Sequence, residues 1–259
     1  MSATLAVLAQ PAVAAVAGLE GSFPWGDAVA SAAGTAGADA VVALGAATAD
    51  GPEPDVRWLG GPLGPAPTPP GRRVIATSGE GLWSRAAWPV RDELFKLDPP
   101  DAGGDLLVVT GDQDLHGPLL EKLSGRGIRI AVADGLTADG LASAAAVAFP
   151  PATQGDLGTS EREEAIPAAA FAALAAGRPL IAPRVRVTFG LLPGVDHLAA
   201  SADDEIVQYA DALQAFPDVF VPLIALGRIA AERQRASTVY GRLVAELATA
   251  APRSAGPRG

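Results

Sequence analysis

Cysteine is absent from the 259 residues. That excludes a disulfide framework, a thiolate nucleophile and any Cys-based metal site. Histidine occurs only as His116 and His197, too far apart in sequence to form a local metal-ligand spacing, and no metal site is expected. Lysine occurs only as Lys96 and Lys122, and aromatics make up 5% of the chain. Positive charge is outweighed, 19 Lys and Arg against 29 Asp and Glu, for a net charge of −10. A general nucleic-acid binder needs a basic footprint to neutralise phosphates, so no nucleic-acid partner is expected. No unbroken run reaches the roughly 20 apolar residues of a membrane span. Residues 3–19 are apolar, but no basic segment precedes them and Pro11 and Gly18 interrupt, so they are not read as a secretion signal. A soluble cytoplasmic protein is expected.

The chain is nevertheless 49% hydrophobic, long enough to bury a core, and rich in Gly (30) and Pro (23). Thr4–Ala9 has the pattern of a buried first strand. Asp27 is placed to cap a helix running to Ala36, and Ala40–Leu44 to form a second strand, which makes a small β-α-β unit. Gly45–Arg72 is dominated by Gly and Pro apart from an apolar island at Val56–Leu59. Pro62–Gly71 is expected to be a semi-stiff linker, with an ordered surface loop as the alternative.

From Arg73 a second regular series begins: a strand at Arg73–Thr77, the turn Ser78-Gly79-Glu80-Gly81, and a helix from Ser84 to Leu97. The turn lacks both the G-x-G-x-x-G and the P-loop pattern, so it reads first as an ordinary βα turn. Leu106–Thr110 is the next strand. The helix Leu115–Ser124 follows, with Leu119, Leu120 and Leu123 on one face. Then come a strand at Ile128–Val132, a short helix from Thr137 to Ala145 and a strand at Ala146–Phe149. Further on, Asp203 or Ser201 is placed to cap a helix from Asp204 to Phe216, Pro217 starts a second helix through Leu226, and Gly227–Thr249 supplies a last helical region. Ala250–Gly259 is read as a frayed tail.

The stretch Glu164–Val185 (EAIPAAAFAALAAGRPLIAPRV) carries the most information. Pro167 suits a first helical turn, Gly177 falls where a left-handed C-cap belongs, and Pro179–Ala182 suits an internal strand with Arg184 just beyond its end. Helix, Gly177-Arg178-Pro179 and strand together can wall a ligand cleft, because open α/β sheets bind ligands at strand ends. Any α/β domain contains such units, so the pattern alone also fits a purely structural role.

The flanking residues give this stretch a family resemblance. A-L-A-A-G-R-P-L-I-A-P resembles the L-E-A-M-A-C-G-x-P-V-I-A run of group-1 GT-B glycosyltransferases, particularly relatives associated with bacterial spore maturation. L-L-P-G-V-D-H-L-A-A-S-A-D-D-E-I-V-Q-Y-A-D-A-L is similar to the family's loop, strand and acidic-capped helix. P-D-V-F-V-P-L-I-A-L-G-R-I-A-A-E-R resembles its closing helices. The ordered combination spans about 75 residues and carries the resemblance; no single piece does.

The resemblance implies an α/β fold with a doubly wound parallel, Rossmann-like sheet of GT-B type. Residues 73–249 would be the C-terminal nucleotide-sugar-binding domain, residues 1–61 a reduced N-terminal α/β segment, residues 62–72 the linker and residues 250–259 the tail. It also implies a nucleoside-diphosphate sugar as donor, with no further cofactor, and no D-x-D metal motif is evident. Of the family's two glutamates, which are separated by seven intervening residues, the first maps to Glu164, near the donor sugar. The second, which holds the ribose hydroxyls, maps to Ala172, which cannot accept a hydrogen bond through its side chain. Glu161 and Glu163 are substitutes for Glu164; all three equally fit an exposed acidic loop. Arg184 fits a phosphate contact or a surface arginine, while Gly177 and Arg178 form the turn of the cleft wall. Ser78 and Gly79 match the exit of the domain's first strand. His116 and His197 are read as structural.

Two functions follow. One is transfer of a sugar to an unknown acceptor. The other is a non-catalytic relative acting as a binding or assembly subunit, which Ala172 and the short N-terminal part favour. A partner protein or a homo-oligomer would then complete the acceptor site. A response-regulator-like domain fits less well, lacking an acidic phosphate-accepting site.

Overall fold

The computed structural model describes residues 5–8, 28–29, 40–44, 56–59, 73–76, 90–101, 103–110, 114–151, 169–183 and 191–238. The first sheet contains β1 (Leu5–Leu8), β2 (Ala28–Val29), β3 (Ala40–Leu44), β4 (Val56–Leu59) and β5 (Arg73–Ala76). The second contains β6 (Asp105–Val109), β7 (Ile130–Ala133), β8 (Ala144–Ala148), β9 (Leu180–Pro183) and β10 (Leu198–Ala200). The orders are β2-β1-β3-β4-β5 and β10-β9-β8-β6-β7, and every pairing within them is parallel. Counted by position in each sheet, the two orders are the same topology, 2-1-3-4-5.

The first sheet corrects three expectations. Arg73–Ala76 pairs with Val56–Leu59, so it completes the first sheet instead of opening the second. The reduced N-terminal α/β part therefore runs on past residue 61 as a five-stranded sheet, and Pro62–Gly71 connects two neighbouring strands of it. Ala28–Val29 is a strand paired with Val7–Leu8, where Asp27 was expected to cap a helix. Parallel pairing with β1 overrides the local capping signal there.

The second sheet carries helices on both faces: α1 (Gly117–Gly125), α2 (Ala138–Ser143), α3 (residues 169–175), α4 (Asp203–Ala215) and α5 (Val221–Glu232). Successive strand side chains alternate between the faces. Leu107, Val109, Val147, Leu180 and Ala182 pack with Leu141 of α2 and with α3. Leu106, Val108, Ala146, Ala148 and Ile181 pack with Leu119 and Leu123 of α1 and Ile206, Val207 and Ala210 of α4. Apolar residues on both sides are what a doubly wound parallel sheet requires. Lys122 of α1 reaches Asp204 of α4 at 2.7 Å, and that hydrogen bond raises the lysine's pKa.

Every residue from Ala169 to Pro183 is buried. A helix apolar all round belongs inside a protein, and α3 is small enough to be enclosed because most of its residues are alanine. Gly177 ends it at φ +68°. Its N–H donates to Leu174 O at 2.9 Å and that of Arg178 to Ala173 O at 3.0 Å, the paired bonds of a left-handed C-cap.

The segment before β6 closes over α3. The helix expected from Ser84 to Leu97 is, within the described residues, a bridge at Val90 followed by a 3-10 turn at Asp92–Lys96. Pro89 removes a helical donor ahead of it. The end of the last helical region clasps this segment. Val90 N–H donates to Gln234 O at 2.8 Å and Ala236 N–H to Val90 O at 2.7 Å. The Arg235 guanidinium lies 4.0 Å over the Phe95 ring and makes a paired bond to Glu232 at 2.6 and 2.7 Å.

A 3-10 turn, Pro217–Phe220, leads into α5, so Pro217–Glu232 forms one helical run that meets α4 at 110°. α5 then crosses from one core to the other: Leu223 packs in the core with α1 and α4, Ala231 in the core with α3. Gly227 is the crossing point. A Cβ there would lie 2.7 Å from Leu174 Cδ2 and 2.8 Å from Asp196 O. Among the described residues no single helix is long and apolar enough to cross a membrane.

Two predictions follow from this packing. In an open helix Gly→Ala gains about 1 kcal/mol, but overpacking against a backbone oxygen costs about 1–3 kcal/mol. Gly227→Ala should therefore lower unfolding stability by about 1–2 kcal/mol in urea titration, and a gain would contradict the crossing geometry. Arg235 holds the Glu232 carboxyl below its usual range, chiefly through their hydrogen bond. That contribution is present above the unfolded value of about 4.3 and is lost as pH falls through the folded one. Hydrogen-exchange protection of the Val90 and Ala236 amides should accordingly fall between about pH 5 and pH 3, and the Glu232→Gln protein should lack that fall.

Candidate functional site

The order β7-β6-β8 places the topological switch of the second sheet between β6 and β8. Strands that leave a parallel sheet in opposite directions open a crevice at their carboxyl ends, where open α/β sheets hold ligands. Here that edge is built from Thr110, which follows β6, and from Phe149, Pro150 and Pro151, which follow β8. Thr110 N–H donates to Ala133 O at 2.9 Å and Phe149 N–H to Ile181 O at 2.9 Å, which fixes both exits. Residues 114–116 form a turn, and α1 then starts at Gly117 with Pro118 in its first turn and no acidic residue there. His116 occupies the N-cap position and is buried. A helix N-terminus without acidic side chains favours an incoming anion through the helix dipole.

The opposite, amino-terminal edge holds a pocket of about 380 Å³. Gly104, Ile128, Ala145 and Pro179 line it at the strand starts, and Leu213 and Ile224 roof it. Its walls are mainly apolar. Helices in βαβ units end at this edge, so their negative dipole ends gather there. The Arg129–Asp105 pair, at 3.4 Å, already uses the guanidinium beside it. A diphosphate is better served at the carboxyl edge.

Against this geometry, Glu164, Arg184, Ser78 and Gly79 lie outside the described residues, as do Glu161 and Glu163. β9 ends at Pro183, on the carboxyl edge. Ser78 and Gly79 follow β5, the edge strand of the first sheet, not the first strand of the second sheet. The strand whose exit meets the switch is β6. The described turn 114–116 and the start of α1 follow β6, and the sequence signal for them is the apolar strand L-L-V-V-T with H-G-P a few residues on.

Gly177 and Arg178 are corrected by the structure. Both stand between α3 and β9, at the amino edge. Among the described residues Arg178 is the largest fully buried side chain, with 1% of its surface exposed. Nε donates to Leu141 O at 2.7 Å, Nη2 to Ala142 O at 3.3 Å and Nη1 to Asp98 O at 2.8 Å. Burial, the main cause, lowers its pKa, while Asp98 opposes that shift. Its charge sits on the last carbonyls of α2, where a cation complements the helix dipole. Arg178 thus ties α2, α3 and the segment before β6 together, and its burial keeps it from a nucleotide at the surface.

Ala172, where the resemblance calls for a ribose-binding glutamate, is 5% exposed and packs in the α3 core. His197 behaves as expected of a structural residue. Its Nδ1 lies 2.8 Å from Asp196 Oδ1, and both Asp196 oxygens accept from Leu192 N–H at 2.9–3.0 Å. Histidine and aspartate are buried together in the turn that leads into β10.

Removing the Arg178 fork while keeping its stem strands three carbonyls, each worth about 1–3 kcal/mol when buried and unpaired. Arg178→Met should cost about 3 kcal/mol in urea unfolding while leaving nucleoside-diphosphate affinity of the folded protein unchanged. A selective loss of nucleotide affinity at full stability would return Arg178 to the ligand site.

No protein-family model matches this sequence, and no curated protein matches it. Solved structures similar to it include the following two. One is a sucrose-phosphate synthase from Thermosynechococcus elongatus, at 15% identity and a TM-score of 0.42, over 76% of this chain and 59% of that one. The other is AviGT4, a glycosyltransferase involved in avilamycin A biosynthesis, at 16% identity and a TM-score of 0.44, over 95% of this chain and 97% of that one.

Proposed function

We propose that the chain is a glycosyltransferase-like protein that holds a nucleoside-diphosphate sugar at the carboxyl edge of its second sheet. The observation that carries this reading is the reversal of strand order between β6 and β8, with the N-terminus of α1 opening at that edge. The sequence resemblance over α3, β9, α4 and α5 supplies the ligand class. In this reading the diphosphate lies against the first turn of α1, with Arg184 as a bidentate partner. Glu164 stands near the donor sugar. The work of the protein is to position donor and acceptor and to stabilise the leaving diphosphate. A donor with its own leaving group requires no resident cofactor.

A second reading, a binding or assembly subunit that kept the fold and lost the chemistry, is favoured by one observation. Ala172 is an alanine packed in the core where a ribose-binding carboxylate would be needed. The two readings share the nucleotide site and differ in turnover.

Isothermal titration with UDP, GDP and ADP separates these outcomes. Binding with a Kd between about 10 µM and 1 mM is expected, weakened about tenfold by Arg184→Ala. No binding at millimolar ligand overturns both nucleotide readings. Release of the sugar or its transfer from the matching donor, lost in Glu164→Gln, supports the transferase; binding without turnover supports the subunit.

A further inference from the structure

The large apolar side chains that stay exposed among the described residues are Leu192, Val195, Phe216, Val219, Val221, Leu226 and Ile229. They fall on one helical run, Pro217–Glu232, on Phe216 just ahead of it, and on the turn 192–197 that abuts it at Gly227. Val219 is 70% exposed, Phe216 65% and Ile229 60%. α5 is therefore apolar on two faces. Leu223, Gly227 and Ala231 face the protein, while Pro222, Ala225, Leu226 and Ile229 face outward. The outward positions recur every three or four residues, the seam spacing of one helix packed along another.

The charges bracketing this seam select its occupant. Asp218 is exposed at the start of the run and Arg233 just past its end. If a second copy of the run lies antiparallel with a two-fold axis between Ala225 and Leu226, Pro222 faces the partner's Ile229 and Asp218 faces the partner's Arg233. The same arrangement opposes the helix dipoles favourably. The rest of the chain carries a net charge that would repel a second copy, since the whole is −10. The run 217–233 is itself neutral, with Asp218 and Glu232 against Arg228 and Arg233, so contact there brings no excess of like charge. Seven half-exposed side chains provide several hundred Å² of apolar surface, enough to mark an interaction site. With the polar rim this is of the order of the roughly 800 Å² that each partner buries in a specific interface. A lipid surface is disfavoured, because interfacial helices usually line their polar face with Lys and Arg.

We propose that α5 and its 3-10 lead-in form the interface of an antiparallel, two-fold homodimer. This inference is independent of the nucleotide-sugar reading, since it uses the outer face of α5.

Sedimentation velocity over a concentration series tests it. The wild-type chain should pass from monomer to dimer with a Kd below about 10 µM. Ile229→Asp should weaken association about 100-fold with an unchanged thermal melt, because the side chain is exposed in the monomer. Asp218→Arg should weaken it about tenfold, and adding Arg233→Asp should restore it, an exchange that only the antiparallel pairing explains. A monomer at about 100 µM wild-type protein overturns the proposal. So does a dimer indifferent to Ile229→Asp or to the charge exchange, and so does a monomer that co-sediments with neutral phosphatidylcholine vesicles through this face.

Discussion

The second half of this protein depends on one packing constraint: α3 must be enclosed on every side. Residues 169–183 are all buried, and the helix they begin with can be surrounded only because it is built of alanine with Phe171 and Leu174 as anchors. The sheet lies on one side of it, the segment from Val90 to Leu97 on another, and α5 on a third. Each neighbour bears a mark of the close fit. α5 has a glycine where it meets Leu174, the 90–97 segment is clasped by residues 234–236, and Arg178 binds three separate backbone carbonyls at the base of the helix.

The same arrangement gives the sheet two chemically different edges. Helix ends and their partial negative charges collect at the amino edge, and there the protein commits its buried arginine to carbonyl oxygens. Helix starts collect at the carboxyl edge, and α1 opens there without an acid in its first turn. The helix dipoles alone favour an anion at the carboxyl edge over the amino edge. The well-formed apolar pocket lies at the amino edge, so pocket shape and electrostatics point to different places.

Much of this was legible in the sequence where local rules govern. Gly177 was marked as a left-handed cap and adopts φ +68°. The buried strand after it and the acid-led helix α4 also fall where their patterns place them. The failures are non-local. A strand's own residues do not state which sheet it joins, so Arg73–Ala76 was assigned to the wrong one behind a Pro-rich stretch that resembles a linker. Asp27 offered a cap, and pairing of Ala28–Val29 with β1 prevailed. Arg178 looked like a ligand residue because it sits in a turn. Nothing near it in sequence reveals that the carbonyls of Asp98, Leu141 and Ala142 converge on its guanidinium.

In the proposed reading, the nucleotide binds at the carboxyl edge of the second sheet. Hydrogen-exchange footprinting with and without a saturating nucleoside diphosphate tests it most directly. New protection is expected at the amides of residues 114–117, with none at 103–104, 127–129 or 176–178. Protection confined to the second set would place the ligand in the amino-edge pocket and contradict the account.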